Sequence, residues 1–135
     1  MPGITGGCLC GAVRFEVTSD PVMVRNCHCD DCRRATGGAF ATNVFIKEDD
    51  LTVTGELSKF DHVADSGNAR SQEFCPKCGT PIFSKGARLK GIKATRIGTI
   101  DDASGLAPMG NVYTSRALEF VQIDDSLENA KEMPQ

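Results

Sequence analysis

Hydrophobic and polar positions alternate in short runs along most of this chain. Over residues 12–18 (Ala-Val-Arg-Phe-Glu-Val-Thr) the alternation is strict. Val13, Phe15 and Val17 would face a core, with Arg14 and Glu16 outside, a period of two that predicts a strand. Shorter runs predict strands at 22–26, 39–47, 51–54, 57–63, 69–74, 81–84, 92–98 and 115–123. Gly55, Ser66-Gly67 and Lys85-Gly86 supply turn signals between them. Residues 30–36 (Asp-Asp-Cys-Arg-Arg-Ala-Thr) read as one or two helical turns, with Asp30 or Asp31 as the cap and Gly37-Gly38 as the stop. No βαβ spacing is present, so the expected fold is mainly β, built from short antiparallel strands with little helix. Phe15, Phe40, Phe45, Phe74 and Phe83 read as core, and the polar segment from Asp124 reads as a tail that frays.

The length of 135 residues suits a single domain over 1–135, with a core at about 6–123 and the tail at 124–135. A chain this long can bury a real core without needing metal merely to offset small size. Fourteen glycines, one Tyr and no Trp agree with a loop-rich β fold. The net charge of −3, from 15 basic and 18 acidic residues, lacks the basic footprint of a nucleic-acid binder. No stretch approaches the roughly 18 apolar residues of a membrane helix. The opening Met1-Pro2-Gly3-Ile4-Thr5-Gly6-Gly7 has neither the charged nor the apolar region of a secretory leader. The expectation is a cytoplasmic protein whose thiols stay reduced, with no nucleic-acid or membrane partner.

That expectation changes the meaning of the cysteines. All seven fall in three clusters: Cys8-Leu9-Cys10, Cys27-His28-Cys29-Asp30-Asp31-Cys32, and Cys75-Pro76-Lys77-Cys78. An odd count fits a disulfide framework poorly. The CxC and CxxC spacings instead let several thiolates reach one tetrahedral zinc at about 2.3 Å per bond. Buried cysteines acting as small hydrophobes need no such spacing. Residues 74–79 read as a zinc knuckle that supplies Cys75 and Cys78, with Gly79 letting the backbone turn under the sulfurs. The knuckle's second pair is either Cys8/Cys10 or Cys29/Cys32. The first choice leaves Cys27, Cys29 and Cys32 as three ligands around an open position, the pattern of a catalytic zinc. The second makes an ordinary ribbon, although its separation from Cys32 to Cys75 is longer than a usual ribbon loop. Spacing favours the first. Three thiolates would give such a zinc centre a net charge of −1 and weaken it as an acid toward water, whereas soft sulfur ligands suit it. A thiol therefore fits the open position better than water does.

Four segments in order resemble one family. They are Gly6-Gly7-Cys8-Leu9-Cys10-Gly11-Ala12-Val13, then Cys27-His28-Cys29-x-x-Cys32-Arg33-Arg34-Ala35-Thr36-Gly37-Gly38-Ala39-Phe40, then Phe74-Cys75-Pro76-x-Cys78-Gly79-Thr80, and Gly98-Thr99-Ile100-Asp101-Asp102. The chain is similar over about residues 6–116 to the glutathione-dependent formaldehyde-activating enzymes, which share their domain with centromere protein V. The resemblance implies a tent-like β fold of the Mss4 group. It implies two Zn2+ per chain, a structural one on Cys8, Cys10, Cys75 and Cys78 and a catalytic one on Cys27, Cys29 and Cys32. It also implies a reaction between a small thiol such as glutathione and a small aldehyde. Formaldehyde and glutathione would give S-(hydroxymethyl)glutathione, a carbon–sulfur lyase reaction run in reverse. The segment 111–119 departs from the family pattern, with Asn111 and Glu119 at the usual His and Trp positions. If it helps to shape the pocket, the substrate differs.

The remaining polar residues divide by position. His28 lies between two ligands, and strand alternation points it away from the sulfurs, toward a packing or supporting role. His62 reads as surface and Asp101-Asp102 as a turn. Arg33 and Arg34 follow Cys32; one of them reads as a partner for a substrate carboxylate, since guanidinium forks match carboxylates, with a solvated helix face as the alternative. Gly37 and Gly38 would let substrate approach the backbone. The expected function is a zinc-dependent carbon–sulfur lyase of thiol–aldehyde adducts; a non-catalytic zinc module that binds a protein partner is the alternative. The seventh cysteine favours the enzyme, because a pure scaffold uses four or eight sulfurs.

Overall fold

The computed structural model describes residues 3–133. Met1-Pro2 and Pro134-Gln135, the ends of the expected leader-free opening segment and polar tail, lie outside the described residues. Strand β1 (Ile4–Gly7), β2 (Arg14–Val17) and β5 (Leu51–Thr54) form a small antiparallel sheet in the order β1-β2-β5. The other strands are β3 (Met23–Cys27), β4 (Ala41–Lys47), β6 (Ser58–Val63), β7 (Ala69–Phe74), β8 (Pro81–Gly86), β9 (Ile92–Arg96), β10 (Gly110–Val112) and β11 (Glu128–Asn129). They make one eight-stranded sheet, ordered β11-β10-β3-β4-β9-β8-β7-β6. Helix α1 (Asp30–Thr36) follows β3 directly.

The mainly β architecture and most of its strands lie where periodicity puts them. The eight-stranded sheet is mixed at one edge, because β10 runs parallel to both β3 and β11. The strand expected at 115–123 is absent. A 3-10 turn at Thr114–Arg116 and a loop take its place, and the pairing partner is β10 just before it. Asp124 opens a turn that leads into β11, so residues of the polar tail pair with the sheet. Strand β1 lacks an alternating signal because it ends in Gly6-Gly7. A Cβ on Gly6 would sit 2.3 Å from the Thr99 carbonyl and 2.4 Å from the Phe15 ring, so only glycine permits this crossing.

Register assigns the two faces of the large sheet different tasks. Residues directly opposite in paired strands share a face. Val24, Val44, Thr95, Phe83 and Glu73 are linked on one face by successive pairs. That face packs on the small sheet through Val13, Phe15 and Val17, with Phe15 and Phe83 edge to face at 5.2 Å. Arg25, Cys27, Ala41, Asn43, Phe45, Arg96, Ser84, Gln72 and Arg70 lie on the other face. Phe15, Phe45 and Phe83 are buried as expected. Phe40 and Phe74 are only partly buried, because Phe40 lies in the loop after α1 and Phe74 sits at a register shift beside a cleft.

Candidate metal centres

The four cysteines Cys8, Cys10, Cys75 and Cys78 bring their sulfurs within 4.8 Å of one another. Two of these separations, Cys8–Cys10 and Cys10–Cys75, are 3.7 and 3.8 Å. Sulfurs at the corners of a tetrahedron with 2.3 Å metal bonds stand about 3.8 Å apart, so the spacing suits zinc. Backbone amides converge on this cluster. Val13 donates to Cys8 Sγ at 3.2 Å, and Lys77 and Cys78 donate to Cys75 Sγ at 3.4 and 3.5 Å. Such donors favour thiolate over thiol. Hydrogen bonding from Thr80, first its hydroxyl and then its backbone, holds the Cys78 thiol down at about 5. The knuckle turns at Gly79, whose φ of +77° is the left-handed region and whose amide closes on the Cys75 carbonyl at 2.8 Å. Cys8 and Cys75 also belong to the core between the two sheets. The knuckle is thereby paired with Cys8/Cys10 and not with Cys29/Cys32.

The second cluster, Cys27, Cys29 and Cys32, forms on the other face of the large sheet. Cys27 ends β3, Cys29 is the N-cap of α1, and Cys32 lies in its first turn. The cap is the Cys29 sulfur, which accepts the Cys32 amide at 3.4 Å, where Asp30 or Asp31 had been the expectation. Asp30 and Asp31 sit one and two residues inside the helix, where their charge still favours the N-terminus. Hydrogen bonding from Cys27 and Cys29 draws the Cys32 thiol strongly down, with Arg96 and Arg70 adding positive charge. The three sulfurs pack with Ala41, Val112 and Tyr113. Tyr113 stands at φ +56°, unusual for a non-glycine residue and a strain that surrounding packing must hold. Burial first, then the charge of Cys29 and Cys27, pushes its phenol up.

His28 points to the opposite face from Cys27, as alternation requires. It is buried, and its Nε2 meets Asn111 Oδ1 at 2.9 Å. Asn111 also accepts from Asn26 at 3.1 Å and donates to Asn129 at 2.9 Å. The Asn111 of the divergent segment therefore ties β3, β10 and β11 together, whereas Glu119 is exposed in the loop beyond.

The other expected site residues spread along α1. Arg33 is partly buried and donates to Asp30 at 2.7 Å, while Arg116 reaches the same carboxylate at 3.1 Å. Exposed Arg34 lines a cleft of about 590 Å3 with Asp31, Phe60, His62, Gln72 and Phe74. Gly37 closes the helix in open space, and Gly38 follows, where a Cβ would meet the Phe40 carbonyl at 3.4 Å. His62 is only partly exposed and not a free surface residue. Its side chain is 18% exposed, stacks on Phe60, and contacts Gln72 at 3.1 Å and Asp31 at 3.9 Å. Sequence reading passed over Arg25, Arg70 and Arg96; their signal is an arginine at the inward parity of an alternating strand. The Asp101 turn is anchored, with Arg14 and Thr5 both bonded to its carboxylate.

Among the described residues, no helix is long and apolar enough to cross a membrane. The profile of the glutathione-dependent formaldehyde-activating enzyme family matches residues 3–116. Curated relatives include a Halomonas elongata protein, 34% identical over 59% of this chain and 54% of its own length. A Podospora anserina protein is 28% identical over 63% and 40%, and a Pyrenophora teres protein 29% over 62% and 46%. All three carry, provisionally, the name glutathione-dependent formaldehyde-activating enzyme. The chain spans about half the length of these relatives. A crystal structure of a Rhodobacter sphaeroides protein superposes with a TM-score of 0.59 at 24% identity, covering 77% of this chain and 91% of that one.

Proposed function

Because this chain belongs to the glutathione-dependent formaldehyde-activating enzyme family, we propose that it joins a small thiol such as glutathione to a small aldehyde such as formaldehyde, and in reverse acts as a carbon–sulfur lyase. The observation that carries this reading is a three-cysteine cluster built apart from a complete four-cysteine one. The Mss4-like reading of the fold rests on the same membership.

In this reading Cys8, Cys10, Cys75 and Cys78 hold a structural zinc, and Cys27, Cys29 and Cys32 hold a catalytic one. The catalytic ion would supply a soft Lewis-acid position suited to sulfur. The chain's own residues do the rest. The Cys29 cap and the start of α1 bring three sulfurs together, one ligand short of a tetrahedron. Arg34, exposed beside the cleft, meets a substrate carboxylate. Arg33 is already engaged by Asp30, so it orients α1 and offers its remaining donors. Gly37 leaves room at the end of the helix, and Gly38 continues the chain beside it. The reaction balances without a co-reactant: the thiol gives up its proton, sulfur bonds the carbonyl carbon, and the oxygen takes a proton to become the hydroxymethyl group. Magnetisation exchange between free and glutathione-bound formaldehyde, with and without protein carrying two zinc ions, tests the assignment. Acceleration is expected, and an unchanged exchange rate removes the formaldehyde assignment.

A further inference from the structure

Arg96 presents a problem of buried charge. It is 6% exposed, yet its bonds go to two neutral groups, Asn43 Oδ1 at 2.6 Å and Gln72 Oε1 at 2.9 Å. Its Nε has no partner. A buried cation without a counter-charge is costly, so one is expected nearby. Register shows where. Arg96 lies opposite Asn43, which lies opposite Arg25, two residues before Cys27 on the same face. Across the sheet, Gln72 lies two residues from Arg70. Neither of those arginines has a carboxylate partner among the described residues. Arg70 donates to Ser84 Oγ at 2.6 Å, and Arg25 lies over the Phe45 ring and near Met133 Sδ. Helix α1 brings two carboxylates to this side, but Asp30 is taken by Arg33 and Arg116, and Asp31 faces His62.

We propose that Arg25, Arg70 and Arg96 form a cationic floor beside the three-cysteine site that selects a thiol bearing a carboxylate, with Arg96 as the fixed charge and the half-buried Arg25 and Arg70 as the groups that reach the ligand. The inference rests on the thiol reading above and adds which residues make it selective. Three guanidinia meet three thiolates here, so a divalent metal in the cluster leaves the site with surplus positive charge. A neutral thiol relieves little of it, and an acidic thiol relieves more.

The test uses cobalt-loaded protein and three thiols of similar size: 3-mercaptopropionate, 2-mercaptoethanol and cysteamine. Each is titrated while sulfur-to-cobalt absorption is followed. Mercaptopropionate should bind about tenfold or more tighter than mercaptoethanol, the scale of one charge-assisted hydrogen bond, and cysteamine should bind most weakly. Raising salt should narrow the ratio. Arg70→Met should bring it toward one, and Arg96→Lys should retain more of it than Arg96→Met. Equal affinity for the three thiols in the unaltered protein overturns the cationic floor and leaves the thiol reading standing. Absence of any thiol-dependent absorption overturns both.

Discussion

Cys75 has no solvent exposure and belongs at once to the core and to the four-sulfur cluster. Replacing it with Ala removes one of the four proposed zinc ligands, the acceptor for two backbone amides, and a sulfur from a close-packed interior. The zinc contribution dominates. Structural zinc sites are worth on the order of 10–16 kcal/mol in small domains, so losing one of four ligands costs at least about 3 kcal/mol. The two amides add on the order of 1 kcal/mol each if left without a partner, and the lost sulfur adds about 1 kcal/mol of packing. The sum approaches the roughly 5–15 kcal/mol that holds a domain folded. At about 2 kcal/mol per molar urea, a sum of about 6 kcal/mol should lower the unfolding midpoint by about 3 M, or the protein should not fold. Cys10→Ala separates the contributions. Cys10 is exposed, so its loss removes a ligand without opening the core. It should lose the same zinc with a smaller drop. A Cys75→Ala protein with the wild-type urea midpoint and two zinc ions would refute the reasoning.

Other outcomes follow from the same structure. Cys29→Ser should lose one zinc and the thiol-adduct activity while keeping its circular dichroism spectrum, because the closed cluster lies on the opposite face; loss of fold would contradict this. Asn111→Ala should leave His28 and Asn26 without their buried acceptor, costing about 1–3 kcal/mol and exposing β11 in hydrogen exchange. Unchanged β11 protection would show that this network does not hold the edge. Asp101 is held below the usual carboxylate range, first by Arg14 and then by Thr5. Its contribution is present above the unfolded-state value of about 4 and is lost as pH falls through the lower folded-state value. Asp101→Asn should therefore lower the melting temperature near neutrality, with the gap to wild type closing in acid. A gap that persists at the lowest pH would assign the effect to packing.

Much of the site was legible before any fold. Three cysteine clusters can satisfy tetrahedral zinc only in a few ways, and the alternation that buries Val13, Phe15 and Val17 needs no tertiary information. His28 was placed correctly for the same reason, since the pleat sends Cys27 and its neighbour to opposite faces. What failed was non-local. The 115–123 segment alternates well enough to suggest a strand, but pairing depends on which edge is free, and β3 takes Gly110–Val112 instead. His62 looks polar and exposed in sequence, yet α1 and Phe60 cover it once β6 reaches the sheet edge.

The sequence by itself therefore determined the β class and the cysteine clusters able to hold metal, because periodicity and CxC or CxxC spacing act over a few residues. Tertiary structure decided which pairs of cysteines cluster, since Cys8 and Cys10 meet Cys75 and Cys78 only when two sheets close on each other. It also decided the charge around the open cluster. Arg25, Arg70 and Arg96 come from three strands far apart in the chain, and sheet order and register, both set by long-range backbone pairing, put them on one face.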